Sequence, residues 1–263
     1  VTANKAMLAI HGQSLAQLAE EAGRLIRFEA AVAGGIPVIK ALTEGLAGNE
    51  IARVIGVMNG SCNYILTRME NAGLSYEEVF AEADGLGYLE ADPQLDVGGI
   101  DAAHKLAILS CLCFEYEIAA DEIFVEGITA ISQADFKVAA DLGYKIKLLG
   151  IASRSADGVE QRVHPTLVPR TSAIAMVDNV LNAVVLETDH VSELVLAGPG
   201  AGGSATAASV LADMLDIARG SNNWQITLKN EDLAGEFVVP DGFSERGQSQ
   251  MQVQQHNHHF YAN

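Results

Sequence analysis

Ile51-Ala52-Arg53-Val54-Ile55-Gly56-Val57-Met58-Asn59-Gly60-Ser61-Cys62-Asn63-Tyr64-Ile65-Leu66 is the stretch on which the architecture turns. Residues 51–58 are mostly β-branched and apolar and read as a strand. Asn59-Gly60 is a turn pair. Cys62 to Ala72 then reads as a helix. A strand that feeds a helix through so short a turn predicts an α/β body with helices laid on a sheet.

Reading outward supports that class. On the N-terminal side, His11 to Gly23 reads as a helix with Leu15, Leu18, Ala19 and Ala22 on one face and Gly23 as its stop. Leu25 to Val32 reads as a strand, and Pro37 suits the first turn of a helix through Val38, Leu42 and Leu46. On the C-terminal side, Ser75 and Glu78 form a capping-box pattern for a helix ending near Asp84. A helix starting near Gly99 carries the apolar stripe Ala102, Leu106, Leu109 and Cys113. Ser132 to Leu142 is a short helix. Lys145–Ser153, Gln161–Val168, Val180–Glu187 and Glu193–Ala197 read as strands, and Ser204 to Arg219 as a helix behind a glycine-rich turn. The fold class is therefore α/β (α+β), a mixed sheet with helices packed on it. No internal repeat is evident.

Composition bounds the function. The 263 residues are 49% hydrophobic and 19% charged, a core-forming mixture. The net charge of −18, from 34 acidic against 16 basic residues, argues against nucleic acid or an anionic membrane as partner. No apolar run approaches the length of a membrane span, and no signal peptide is apparent. The three cysteines, Cys62, Cys111 and Cys113, are odd in number and lack CxxC spacing. Reduced thiols in a cytoplasmic protein are the simplest account.

Chemistry concentrates in Gly85-Leu86-Gly87-Tyr88-Leu89-Glu90-Ala91-Asp92-Pro93 and the residues just beyond it. Glu90, Asp92, Asp96 and Asp101 are carboxylates. Lys105 is the one Lys or Arg between Arg68 and Lys137. Gly85, Gly87 and Pro93 break regular structure and put Glu90 and Asp92 on a loop. Asp101 and Lys105 are four apart on a helix and share a face. One cation among anions suits a small zwitterionic substrate: acceptors for an ammonium group and a proton donor for a carbonyl oxygen. The plainer reading is a solvated acidic loop beside an ordinary helix ion pair, and spacing alone leaves both open.

The wider sequence resembles homoserine dehydrogenase. Gly-Tyr-Leu-Glu-Ala-Asp-Pro with Asp96, Gly99, Asp101 and Lys105 is similar to that family's substrate-binding segment. Val1-Thr2-Ala3-Asn4-Lys5-Ala6 resembles its strand-end lysine motif. Asn59 to Leu66 resembles its NGTCNYIL segment, with Ser61 where Thr is usual. Gly198-Pro199-Gly200-Ala201-Gly202-Gly203-Ser204-Ala205-Thr206 resembles its late glycine-rich turn. Four motifs in family order, across about residues 1 to 220, make the signal specific.

The resemblance implies an NAD(P)-dependent oxidoreductase interconverting L-aspartate 4-semialdehyde and L-homoserine, a step towards threonine, isoleucine and methionine, and a homodimer. Another amino-acid semialdehyde dehydrogenase and a non-catalytic amino-acid-binding module remain as alternatives. Lys105 is implied as the acid/base lysine and Lys5 as a second lysine at the seam between nucleotide and substrate. Two ammonium groups near one oxygen would lower each other's pKa. Glu90 and Asp96 are implied to hold the substrate amino group, with Asp101 orienting Lys105. Backbone N–H groups of Gly60 and Ser61 would meet the substrate carboxylate, and Gly202 the NADP or NAD cofactor. Asp92 reads as a turn cap and His104 as structural. Glu29-Ala30-Ala31-Val32-Ala33-Gly34-Gly35-Ile36-Pro37 resembles the family's monovalent-cation loop. Glu29, Val32, Gly34 and Ile36 are the positions implied for sodium, largely through carbonyls.

The same resemblance gives a domain plan. Residues 1–26 would be the end of a truncated Rossmann-like nucleotide-binding domain whose N-terminal half is absent. Residues 27–197 would be the catalytic and dimerisation domain, and 198–220 a glycine turn and helix returning to the nucleotide domain. Residues 221–263, polar and rich in Gln and His near the end, read as a disordered tail.

Overall fold

The computed structural model describes residues 1–115, 120–156, 158–220, 253–256 and 259–262. Helix α1, Lys5–Glu21, starts where the Asn4 side chain accepts the Met7 N–H. Lys5 is therefore the first residue of a helix, not the end of a strand, and α1 begins well before His11. Residues 25–32 also depart from the strand expected there. Glu29–Ala31 forms a 3-10 turn, and the Glu29 N–H is drawn to the Asp213 carboxylate 2.9 Å away rather than to a neighbouring strand. Pro37 precedes only a short helix, α2, Val38–Lys40, which widens into a π turn over Ala41–Gly45.

Strand β1, Ile51–Val57, leads into α3, Gly60–Ala72, with Asn59 as N-cap and Gly73 in the left-handed region ending it. The Ser75–Glu78 capping box is formed at the head of α4, Tyr76–Gly85. A helix the sequence reading lacked, α5, Pro93–Val97, follows; Asp92 caps it and Pro93 takes its first position. Helix α6, Ile100–Phe114, buries Ala102, Leu106 and Leu109, each burial of a Leu side chain contributing about 1.5–3 kcal/mol. Next come β2, Phe124–Val125, and α7, Gln133–Asp141. Strands β3, Tyr144–Ser155, β4, Gly158–Pro169, β5, Leu181–Thr188, and β6, Glu193–Pro199, close on α8, Gly203–Ala218.

The sheet runs β2-β4-β3-β1-β5-β6, antiparallel throughout except for the parallel pair β2–β4. Ile55 of β1 lies opposite Ile151 on one side and Val185 on the other. Alternation gives the sheet two buried faces. One carries Val54, Leu148, Ala152, Val184 and Leu186 into the main core with Leu106 and Leu109 of α6 and Ile65 of α3. The other carries Val57, Leu149, Ile151, Ala183 and Val185 against Ile174 and Ala175 of a 3-10 turn. In the tail, Val253–His256 (β7) pairs antiparallel with His259–Ala262 (β8). The rest of residues 221–263, and with it most of the expected disordered segment, lies outside the described residues. Among those described, no helix is long and apolar enough to cross a membrane.

Candidate active site

The site forms where β1 ends and α6 begins. The Met58 carbonyl, just past β1, accepts the Lys105 ammonium at 2.7 Å. One turn back along α6, Asp101 Oδ2 takes the same ammonium at 2.8 Å. Both side chains are buried. The other Asp101 oxygen, Oδ1, lies 3.0 Å from the Lys5 ammonium, which also donates to Glu90 Oε1 at 3.1 Å.

One buried amide, Asn59, and the buried carboxylates Asp96 and Asp101 hold this arrangement. The Asn59 side-chain oxygen accepts the Cys62 N–H, and its Nδ2 donates to Asp96 Oδ1 at 2.7 Å and to Asp101 Oδ2 at 2.9 Å. Asp96 Oδ2 accepts the Glu90 N–H at 2.8 Å, pinning the loop that presents the Glu90 side chain. Asp96 thus faces inward, onto Asn59 and the loop backbone, whereas sequence reasoning aimed it at a substrate ammonium. The Ser61 hydroxyl donates to the Tyr88 carbonyl at 2.5 Å, tying the start of α3 to the same loop. Gly60 has no room for a side chain, because a Cβ would lie 2.7 Å from the Val180 carbonyl oxygen.

Electrostatics follows from these contacts. Burial raises the Asp101 carboxyl, but Lys105 and then Lys5 outweigh it and hold the pKa at about 2. Burial lowers Lys5, yet Asp101 and Glu90 together leave it above the usual lysine value. The mutual lowering of two ammonium groups is therefore not seen at Lys5: an anion sits between them. Burial raises Asp96, against the Glu90 N–H and Asn59. Cys62 is pushed well up by burial, then by Asp96 and Asp101, so it is no nucleophile here. Burial lowers His104, with Asp101, Lys5 and Glu90 near enough to perturb it.

The homoserine dehydrogenase family profile matches residues 37–215, which take in β1, α3, the Glu90 loop, α6 and the glycine turn. The chain belongs to the homoserine dehydrogenase family. It is 50% identical over 219 residues to the homoserine dehydrogenase of Pseudomonas aeruginosa and 48% identical to that of Neisseria gonorrhoeae, in each case over 83% of this chain and 50% of the relative. The chain thus spans about half the length of the curated relatives it matches. Among solved structures, the Thiobacillus denitrificans homoserine dehydrogenase aligns with TM-score 0.82 and 46% identity, over 84% of this chain and 52% of that one. A hyperthermophilic archaeal homoserine dehydrogenase in complex with NADPH aligns with TM-score 0.72 and 31% identity, over 83% of this chain and 63% of that one.

The loop from Glu29 to Pro37 is the second region singled out by the sequence. Both Glu29 carboxylate oxygens accept backbone N–H groups, of Ile39 and Lys40, at 2.9 Å. Burial nevertheless raises the Glu29 pKa to about 7 against those two bonds. Its side chain thus serves α2, leaving the loop only carbonyls to offer a cation. Gly34 O already accepts the Ser209 hydroxyl at 2.7 Å and Ile36 O the Val38 N–H at 2.8 Å. A carbonyl can take a further partner on its second lone pair. No group of three or more His, Cys, Asp or Glu suited to a metal occurs among the described residues.

Gly202, the N-cap of α8, has φ +102° and open space where a side chain would stand. The glycine turn packs on the cation loop: a Cβ on Gly34 would meet Gly200 O at 2.6 Å, and Gly35 N–H donates to Pro199 O at 3.0 Å. Asn59 and Asn182 were absent from the sequence-derived candidates. Asn59 stood inside a quoted motif, where it read only as a turn residue. Asn182 lies in an apolar strand with no motif around it.

Proposed function

We propose that this chain forms the substrate-binding half of an NAD(P)-dependent homoserine dehydrogenase, oxidising L-homoserine reversibly to L-aspartate 4-semialdehyde. The observation that carries the reading is the buried Lys105 ammonium, held by the Met58 carbonyl and Asp101 with one N–H left to give. The nicotinamide, when bound, exchanges hydride with the substrate carbon. Lys105 moves a proton at the substrate oxygen, which needs a donor as negative charge develops there. Asp101 keeps Lys105 in place, and Lys5 adds a second positive charge close by. Glu90, on the exposed side of the cluster, receives the substrate ammonium. The first N–H groups of α3, at Gly60 and Ser61, face the carboxylate.

Helix α8 supports a second, nucleotide-binding body. Its buried residues are polar, Ser209 and Asp213, while Leu211, Met214, Leu215 and Ile217 are exposed. An apolar face turned outward calls for a partner, and the relatives' additional length can supply one. Residues 1–26 and 198–220 would then dock on that body, and Gly202 would contact the cofactor. Carbonyls of Glu29, Val32, Gly34 and Ile36 would hold a sodium ion, which supplies charge that steadies the loop. A second copy of the chain would cover the outer sheet face.

The test is NADP-linked and NAD-linked turnover of L-homoserine by the full-length protein and by the 263-residue chain alone. The reading expects turnover from the first and none from the second. No activity on homoserine by the full-length protein would refute it.

A further inference from the structure

Asn182 lies in β5 with its side chain on the helix-covered face, 1% exposed. Its Nδ2 donates to the Met58 carbonyl at 3.1 Å, the same oxygen that takes the Lys105 ammonium at 2.7 Å. Its Oδ1 is buried and has no donor. Gly200 of the glycine turn lies so close that a Cβ there would sit 2.0 Å from the Asn182 amide, and Gly60 flanks Oδ1 from the other side. A buried amide with an unsatisfied oxygen is a poor core residue, since an apolar side chain of that size would fill the space without stranding an acceptor. Packing alone gives no reason for it.

We propose that Asn182 is a positioning residue for Lys105. It occupies one lone pair of the Met58 carbonyl, fixing its direction and limiting its hold on the ammonium, so that the third Lys105 N–H stays aimed at the substrate oxygen. Gly200 locks the amide, which makes the glycine turn part of the same device. A carbonyl shared by two donors binds each less strongly than it would bind one alone. Asn182 therefore leaves Asp101 as the stronger of the two acceptors that hold the ammonium. The other groups around Lys105 are Asp96 of α5, the Cys62 thiol of α3, and, beyond Asp101, Lys5 of α1 with Glu90. None of them touches the Met58 oxygen.

The proposal rests on Lys105 being the acid/base of the proposed function, and the experiment separates the two. The pH dependence of kcat for homoserine oxidation, with KM, is measured in the full-length enzyme for Asn182→Asp, Asn182→Leu and Lys105→Ala. Asn182→Asp keeps the shape and adds an anion within about 6 Å of the ammonium, and should move the ascending limb of kcat upward by about one pH unit. Asn182→Leu should move it the same way by less, with KM for homoserine changed by no more than about twofold. Both limbs superimposing on wild type while Lys105→Ala is inactive would overturn the role of Asn182 and leave Lys105 standing. Turnover retained by Lys105→Ala would remove both. Failure of both Asn182 variants to fold would make Asn182 a fold residue and overturn the proposal.

Discussion

The Lys5 ammonium lies 3.0 Å from Oδ1 of Asp101, joining the first helix of the chain to the sixth at one buried carboxylate. The other oxygen of that carboxylate belongs to Lys105. One anion sits between two cations, and a charge so enclosed cannot be removed without leaving like charges facing each other.

Asp101 therefore links stability to pH. Its folded pKa of about 2 lies below the ordinary 3.8, so its contribution is present above about pH 4 and is lost as pH falls through 2. Asp101→Asn should cost about 2.5 kcal/mol near pH 7, and its deficit against wild type should shrink as pH falls from 4 to 2. Chemical denaturation at several pH values checks this. A deficit independent of pH would show that the charge is not what matters.

Glu90 should act through recognition. Its carboxylate is partly exposed and, among the described residues, bonded to the Lys5 side chain. Glu90→Gln removes the charge facing an ammonium, a contact worth about 1.5–3 kcal/mol, so KM for homoserine should rise roughly tenfold. An analogue lacking the amino group should lose much less. Equal losses for the two substrates would count against the assignment.

Gly34 has φ +37° and faces the Gly200 backbone. Gly34→Ala must push the glycine turn away as well as accept a strained backbone, and should destabilise by about 1–3 kcal/mol. Urea unfolding measures it. A wild-type midpoint would mean that the loop and the turn are not in rigid contact.

Self-association should involve the outer sheet face. Met176 and Leu181 are exposed there, beside the Val57–Leu149–Val185 cluster. Met176→Glu with Leu181→Glu should turn a dimer into a monomer in sedimentation equilibrium. An unchanged mass in the variant would place the interface elsewhere.

Much of this was legible in the sequence. Strands β1, β3, β4, β5 and β6 of the main sheet run seven residues or more and are legible, whereas two-residue β2 is not; α3, α4, α6, α7 and α8 carry caps or stripes that local pattern resolves. The reading failed where tertiary contacts override local pattern. Residues 25–32 look like a strand, but Glu29 is held by Asp213 from far along the chain. Five-residue α5 is too short for a periodic signal. Lys105, Asp101, Lys5 and Glu90 do meet, as the motifs implied. Asp96 turned inward because Asn59, read only as a turn residue, captures it. Asn182 carries no local signal, since its meaning comes from the Met58 oxygen it shares.

Lys105→Ala in the full-length enzyme is the most direct test of the mechanism. Initial rates of homoserine oxidation at saturating cofactor should fall roughly 100-fold or more in kcat, the scale of a positioned acid/base, with cofactor binding little changed. A variant with near-wild-type kcat would contradict the account.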